Sequence, residues 1–442
     1  MATIQKVENK KGISYRIFIS NGYDTNGKQI RETTTFIPDT TKTAKKQEKE
    51  LEKFVFDFEQ SVLDGKYLSG EKVTFKEFTV KWLQEYGAQQ LERTTLENYK
   101  TNLNNKIIPA IGHLKIAKIK PMQLQSFYNE LSKDGARTDG KKGSYSSGTI
   151  KKLHVVISSI MSTAVKWQVI ESNPCERVSV PKQQKNYEDI KHFTLEQAEI
   201  FLNALNKTYI FIYKGHHRND DTGKIYYVSE YQEKRIIPTQ FKVLFNMALF
   251  GGLRRGELIA LQWDDIDFVN NTVSITKSTG YVNGEAITKV PKTKSSIRTI
   301  SIPNSVMKLL KQYKIEQDEI IIKLGSKWKG EREKRNKNYL FIQWDGKQMN
   351  SSTPYHTFKD IIKKYNETVN NELLKLPNIP LHGLRHTSAT LLISLNVDIK
   401  TVSNRLGHAQ TSTTMNIYAH SLKKMDETAS DALENLLHKQ AQ

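Results

Sequence analysis

Pro380-Leu381-His382-Gly383-Leu384-Arg385-His386-Thr387-Ser388-Ala389-Thr390-Leu391-Leu392-Ile393 decides how the rest of the chain is read. His382-Gly383-Leu384-Arg385 opens a helix that runs on through Thr390-Leu391-Leu392-Ile393. His382 and Arg385 stand three residues apart and face one side of it, so an imidazole and a guanidinium can converge on one anion. A lone His-x-x-Arg arises often by chance, and its weight here comes from what surrounds it. Downstream, Asp398 to Leu406 reads as another helix, stopped at Gly407 with His408 just beyond. Thr411-Ser412-Thr413-Thr414 then starts a helix that puts Tyr418 one turn in. Upstream, Phe241 to Phe250 is an apolar helical run broken at Gly251-Gly252. Helical spacing resumes over Leu253–Leu261, where Arg254 and Glu257 sit at i and i+3 and the carboxylate can hold the guanidinium. Between these helices, Thr272–Thr276 and Arg298–Ile302 alternate as strands, and Lys292-Thr293-Lys294-Ser295-Ser296 makes a polar turn between later strands.

Two arginines, a lysine, two histidines and a late tyrosine form a set suited to one phosphate. Arginines neutralise its oxygens, the lysine and histidines move protons, and a tyrosine hydroxyl can attack phosphorus. A free tyrosine has a pKa of about 10 and attacks only when neighbours accept its proton or stabilise the phenolate. Each motif alone has an ordinary explanation: a surface Arg-Glu pair, a basic turn, a polar residue after a helix stop, a packed tyrosine. Their order is what overrides those explanations.

The order Arg254, Lys292, His382-x-x-Arg385, His408, Tyr418 resembles the tyrosine recombinases, the site-specific DNA integrases of phages and mobile elements. The resemblance implies that Tyr418 is the nucleophile, leaving a 3′-phosphotyrosyl link and a free 5′-hydroxyl. It implies that Arg254 and Arg385 hold the non-bridging oxygens, with Glu257 orienting Arg254. Lys292 then acts as general acid, matched by its place in Pro-Lys-Thr although Lys289 and Lys294 lie close by. His382 becomes the acid/base partner of Tyr418, His408 a further phosphate donor, and His386 structural support. The covalent link conserves the phosphodiester energy, so no cofactor, ATP or metal is expected. Implied partners are double-stranded DNA at core and arm attachment sites, a homo-tetramer on that DNA, and an excisionase or other DNA-bending accessory protein. Two alternatives stay open, a type IB topoisomerase-like relaxing enzyme and a non-catalytic DNA-binding regulator.

Composition agrees with a polyanionic partner. The 442 residues hold 67 Lys+Arg against 47 Asp+Glu, a net charge of +20, and a field of that sign draws nucleic acid. The length suggests about two to four domains. Cys175 is the only cysteine, so neither an intramolecular disulfide nor a thiolate cluster can form, which fits a reducing compartment. The N-terminus lacks the apolar stretch of a signal peptide and no apolar run is long enough to span a bilayer. The expected location is cytoplasmic, on the nucleoid, with no membrane partner.

The expected fold is mainly α with small antiparallel sheets, in three parts. Residues 1–62 read as strands Ser14–Ile19 and Gln29–Phe36 backed by a helix from Thr43, which the resemblance assigns to arm-type DNA. A linker follows at Gly65–Gly70. Residues 71–178 read as a helical bundle, with stretches near Thr94–Lys106, Pro121–Leu131 and Ser146–Trp167, similar to the family's core-binding domain. In it Thr94, Thr95, Tyr99 and Lys100 read equally well as phosphate contacts or as a helix cap and solvated face. Residues 188–442 hold the catalytic motifs. The polar stretch between Lys207 and Arg235 reads as a surface loop, because His216-His217 has no partner pair at metal-ligand spacing.

Overall fold

A computed structural model of the chain describes residues 2–9, 12–23, 27–63, 72–182, 191–219, 223–291, 293–417 and 434. The chain divides into two compact units, Met1–Gln184 and Lys185–Gln442.

The first unit opens with an antiparallel sheet in the order β1 (Thr3–Asn9), β2 (Gly12–Tyr23), β3 (Gln29–Phe36). Alternation in β2 turns Ile17 and Ile19 inward, and they pack with Phe58 and Val62 of helix α1 (Ala44–Leu63). β1 has no counterpart in the sequence reading: its residues, Thr-Ile-Gln-Lys-Val-Glu-Asn, are mostly polar and it gains its place by pairing with β2. The Gly65–Gly70 linker lies outside the described residues.

A helical bundle with its own core follows. It comprises α2 (Phe75–Trp82), α3 (Ala88–Gln90), α4 (Arg93–Asn102), α5 (Ile108–Ile111), α6 (Pro121–Leu131) and α7 (Ser147–Lys166). Thr74 starts α2 with a reciprocal cap, its hydroxyl accepting from Glu77 N while Glu77 accepts from Thr74 N. Trp82 is wholly buried and donates its indole N–H to Thr163 at 2.9 Å, which satisfies the single polar group of a large apolar side chain. Tyr99 stacks on Trp82, and Lys100 pairs with Glu97 at 2.8 Å. Both residues therefore have packing and surface-pair roles inside the bundle.

In the second unit α8 (Leu195–Ala204) precedes four strands, β4 (Thr208–Tyr213), β5 (His216–Asn219), β6 (Ile225–Val228) and β7 (Tyr231–Ile236). β4 pairs with β7 and β5 with β6, all antiparallel. This corrects the reading of 207–235 as a surface loop. Apart from Tyr209 and Phe211 on one face of β4, which meet the core, these strands are largely exposed, and β5, β6 and β7 lack the alternation of a half-buried strand. Only their aromatic and β-branched residues signalled them. His216 and His217 lie on β5, with His217 edge-on to Tyr227.

The core of this unit gathers around Phe193, Phe201, Phe245 and Phe358. α9 (Thr239–Gly251) and α10 (Arg255–Ala260) lead into β8 (Ile266–Asp267) and β9 (Thr272–Ile275). A hairpin of β10 (Ser278–Val282) and β11 (Glu285–Lys289) follows, then β12 (Arg298–Ser301), which pairs with β9 in the sheet order β12-β9-β8. The strand pair expected from Thr272–Thr276 and Arg298–Ile302 forms, with Arg298 opposite Ile275. Helices α11 (Asn304–Leu324), α12 (Thr353–Glu367), α13 (Gly383–Ser394), α14 (Ile399–Leu406) and α15 (Thr411–Ile417) complete the described chain. The fold is mainly helical with small antiparallel sheets, as its sequence implies. Among the described residues, no helix is long and apolar enough to cross a membrane.

Candidate active site

The site is organised by the end of α14. Asp398 caps the start of this helix by accepting from Thr401 N, and Gly407 ends it in the left-handed region at φ +67°. Gly407 N then donates to Asn404 O and His408 N to Ser403 O, each at 3.0 Å. A helix terminus leaves carbonyls without intrahelical donors and carries partial negative charge. Here three consecutive carbonyls each accept from a different arginine. Arg298 Nε donates to Arg405 O at 2.7 Å, Arg385 Nη2 to Leu406 O at 2.6 Å, and Arg254 Nη2 to Gly407 O at 3.0 Å. Arg385 is buried and its Nη1 donates to Gly252 O at 2.6 Å, where Gly252, also left-handed, ends α9.

Arg254 is the N-cap residue of α10, and Glu257 is the third residue of that helix. The i, i+3 pair read from the sequence is thus a helix cap and an ion pair together. One Glu257 oxygen accepts from Arg254 N at 2.9 Å and the other from Arg254 Nη1 at 2.8 Å. The same two oxygens accept from Arg298 Nη1 at 3.1 Å and Nη2 at 3.0 Å. Burial pushes the Glu257 carboxyl up. Hydrogen bonds and charge from Arg298, then from Arg254, outweigh it and leave the pKa below the usual value. Glu257 is therefore a buried carboxylate shared between two guanidiniums. Arg254 keeps 37% of its side chain exposed and Arg298 only 7%.

His382 is the N-cap residue of α13, on the exposed side of the site, with its ring edge-on to His386 at 4.8 Å. Crowding by surrounding protein atoms, then the charges of Arg385 and Arg254, hold its pKa down to about 4. Burial and the same kind of neighbours, His382 and Arg385 first among them, take His386 to about 3. His408 is lowered to about 4 by burial and by Arg385, Arg254 and Arg298. It shares a 2.8 Å hydrogen bond through Nδ1 with the buried hydroxyl of Thr414. All three imidazoles are neutral at pH 7, so each offers one donor and one acceptor.

The structure brings together Arg254, Glu257, His382, Arg385 and His408. Lys292 and Tyr418 lie outside the described residues. The turn that follows position 292 is tied down: Ser296 N donates to Thr293 O at 3.0 Å, and Arg298 Nη1 donates to Ser296 O at 3.1 Å. α15 ends at Ile417, next to position 418. Arg298 reads from the sequence only as the start of a strand after the Lys292 turn, with no partner, and the structure sets it beside Glu257.

Such a set of arginines and neutral histidines around helix-end carbonyls, with Arg385 buried and Arg254 and His382 partly open, has the charge and donors to take an anion. Comparison with known proteins places the chain. Residues 218–425 match the phage integrase family, and residues 74–132 match the N-terminal SAM-like domain of phage integrases. A XerC-like tyrosine recombinase of Caldanaerobacter subterraneus subsp. tengcongensis is 29% identical over 436 residues, covering 96% of each chain. The ICEBs1 integrase of Bacillus subtilis is 25% identical over 437 residues, covering 98% of this chain and 100% of that one. Among solved structures, the integrase of transposon Tn1549 in complex with a circular intermediate DNA superposes with a TM-score of 0.59. It is 19% identical over 81% of this chain and 100% of that one, a likeness of fold. The chain belongs to the phage integrase family of tyrosine recombinases, site-specific enzymes that cut and rejoin DNA in mobile elements.

Proposed function

We propose that this recombinase integrates and excises its element by transesterification on double-stranded DNA, with Tyr418 as nucleophile and a 3′-phosphotyrosyl intermediate. The observation that carries the reading is the convergence of Arg254, Arg385, His382 and His408 on the end of α14. Arg254 and Arg385 neutralise the non-bridging oxygens, where negative charge grows in the transition state. Neutral His382 accepts the phenolic proton of Tyr418 as the O–P bond forms. His408, with Nδ1 engaged by Thr414, presents Nε2 to a phosphate oxygen. Lys292 protonates the departing 5′-oxygen. Glu257 acts through Arg254. In the reverse step the 5′-hydroxyl of the partner strand attacks the phosphotyrosine and Tyr418 recovers its proton.

Residues 1–62 form the arm-type DNA-binding module, 71–178 the core-binding domain and 188–442 the catalytic domain. The separate sheet core and bundle core of the first unit support that division, and the net charge of +20 supports DNA as partner. Joining two duplexes needs four cleavages, hence a homo-tetramer, with an excisionase or other DNA-bending protein setting direction. The work is done in the cytoplasm, on the nucleoid. The test is Tyr418→Phe on a nicked attachment-site duplex, followed by denaturing electrophoresis. The variant should bind DNA as wild type does and form no covalent adduct. An adduct that survives in Tyr418→Phe refutes the assignment.

A further inference from the structure

Arg298 opens β12, where strand alternation sets it on the same inward face as buried Ile300, a place that a guanidinium occupies only when its donors are met. Its side chain is 7% exposed and fully engaged. It spans both oxygens of Glu257, the carbonyl of Ser296 and the carbonyl of Arg405. The space around it is closed: a Cβ at Gly407 would stand 2.8 Å from Arg298 Nη1. All three nitrogens of its guanidinium are engaged by protein groups, while Glu257 also holds Arg254 and the Arg405 carbonyl precedes the two that hold Arg385 and Arg254. We propose that Arg298 is a positioning residue for the phosphate clamp, holding Glu257 and the Arg405–Gly407 turn in one arrangement before DNA binds. The proposal rests on the reading of Arg254 and Arg385 as that clamp.

Two physical effects follow from this geometry. Glu257 divides its negative charge between two guanidiniums. Without Arg298 the whole carboxylate attracts Arg254, and Arg254 gives less to the phosphate. In addition, Arg298 anchors the first of the three carbonyls whose neighbours hold Arg385 and Arg254. Loss of that anchor frees the turn that precedes His408. Misplacing a clamp by about 1 Å costs on the order of a hundredfold in rate.

The test uses the full chain, the variants Arg298→Met and Arg298→Lys, and a nicked duplex carrying the end sequence of the encoding element. One version has the native scissile phosphodiester. In the other a methyl group replaces one non-bridging oxygen, giving a neutral methylphosphonate that needs no anion clamp. Adduct formation is timed on both and normalised to wild type, with folding checked by thermal melting. Arg298→Met should slow the phosphodiester about a hundredfold and the methylphosphonate less than about tenfold. Arg298→Lys should show the same selectivity more mildly, because an ammonium keeps the charge but cannot span four acceptors. It carries the test if the Met variant does not fold. Equal loss on both substrates would mean that Arg298 only supports the fold and would overturn the proposal, as would no loss on either. Arg254→Ala is the control for the parent reading. Equal loss on both substrates in that variant would fell the clamp itself, and the role of Arg298 with it.

Discussion

Glu257→Gln tests the site most directly, because the structure gives the change a magnitude. Glu257 is 2% exposed and its oxygens accept from Arg254 N, Arg254 Nη1, Arg298 Nη1 and Arg298 Nη2. A glutamine has the same shape but one acceptor oxygen, and its NH2 would face guanidinium donors. It also leaves Arg298, at 7% exposure, without a counter-charge. Breaking a buried pair by removing one partner costs about 3–5 kcal/mol. The Arg254 share is small, about 1 kcal/mol or less, because that side chain is partly exposed and can recover water. For a unit of this size each kcal/mol moves Tm by about 2–4 °C, so a drop of roughly 10 °C is expected at pH 7. The assay is calorimetric melting of the full chain, wild type against variant. The sign with pH also follows. The folded-state pKa of Glu257 is lowered, so its contribution is present above its ordinary value and is lost as pH falls through the folded value. The gap between the two proteins should therefore narrow in acid. A Tm within about 2 °C of wild type at pH 7, where about 10 °C is expected, would refute the buried, shared carboxylate.

Two further outcomes are expected. His382, His386 and His408 have folded pKa values lowered to about 4, 3 and 4, whereas an unfolded histidine titrates near 6.5. Their stability is thus complete above about pH 6.5 and is lost as pH falls toward 4, where the unfolded chain binds protons that the folded chain does not. His386→Gln should flatten the fall of Tm across that window, and an unchanged slope would count against a buried neutral His386. Deleting residues 1–62 should weaken assembly on long attachment-site DNA and spare cleavage of a short core duplex, because Ile17, Ile19, Phe58 and Val62 form a core of their own. Loss of core cleavage in a truncated protein that still melts cooperatively would show that the module is not a separable arm-binder.

The sequence by itself determined the local elements and the identity of the chemistry. Helices α6, α7, α9, α13 and α14 were legible because apolar spacing, caps and glycine stops are local signals, carried within one or two turns. The motif order pointed to the family for the same reason, since each motif is short and contiguous. Tertiary structure decided what those local signals cannot encode. Of β4–β7 only one face of β4 meets the core, so periodicity was faint and pairing across the chain created these ribbons. Glu257 was visible as the partner of Arg254, three residues away. Its second partner, Arg298, is 41 residues away, and only folding makes them neighbours. The same holds for the three carbonyls at the end of α14 and its Gly407 cap, which acquire donors from positions 254, 298 and 385. The neutral state of the histidines is likewise a property of assembled surroundings, because burial and nearby guanidiniums, rather than residue type, set a pKa.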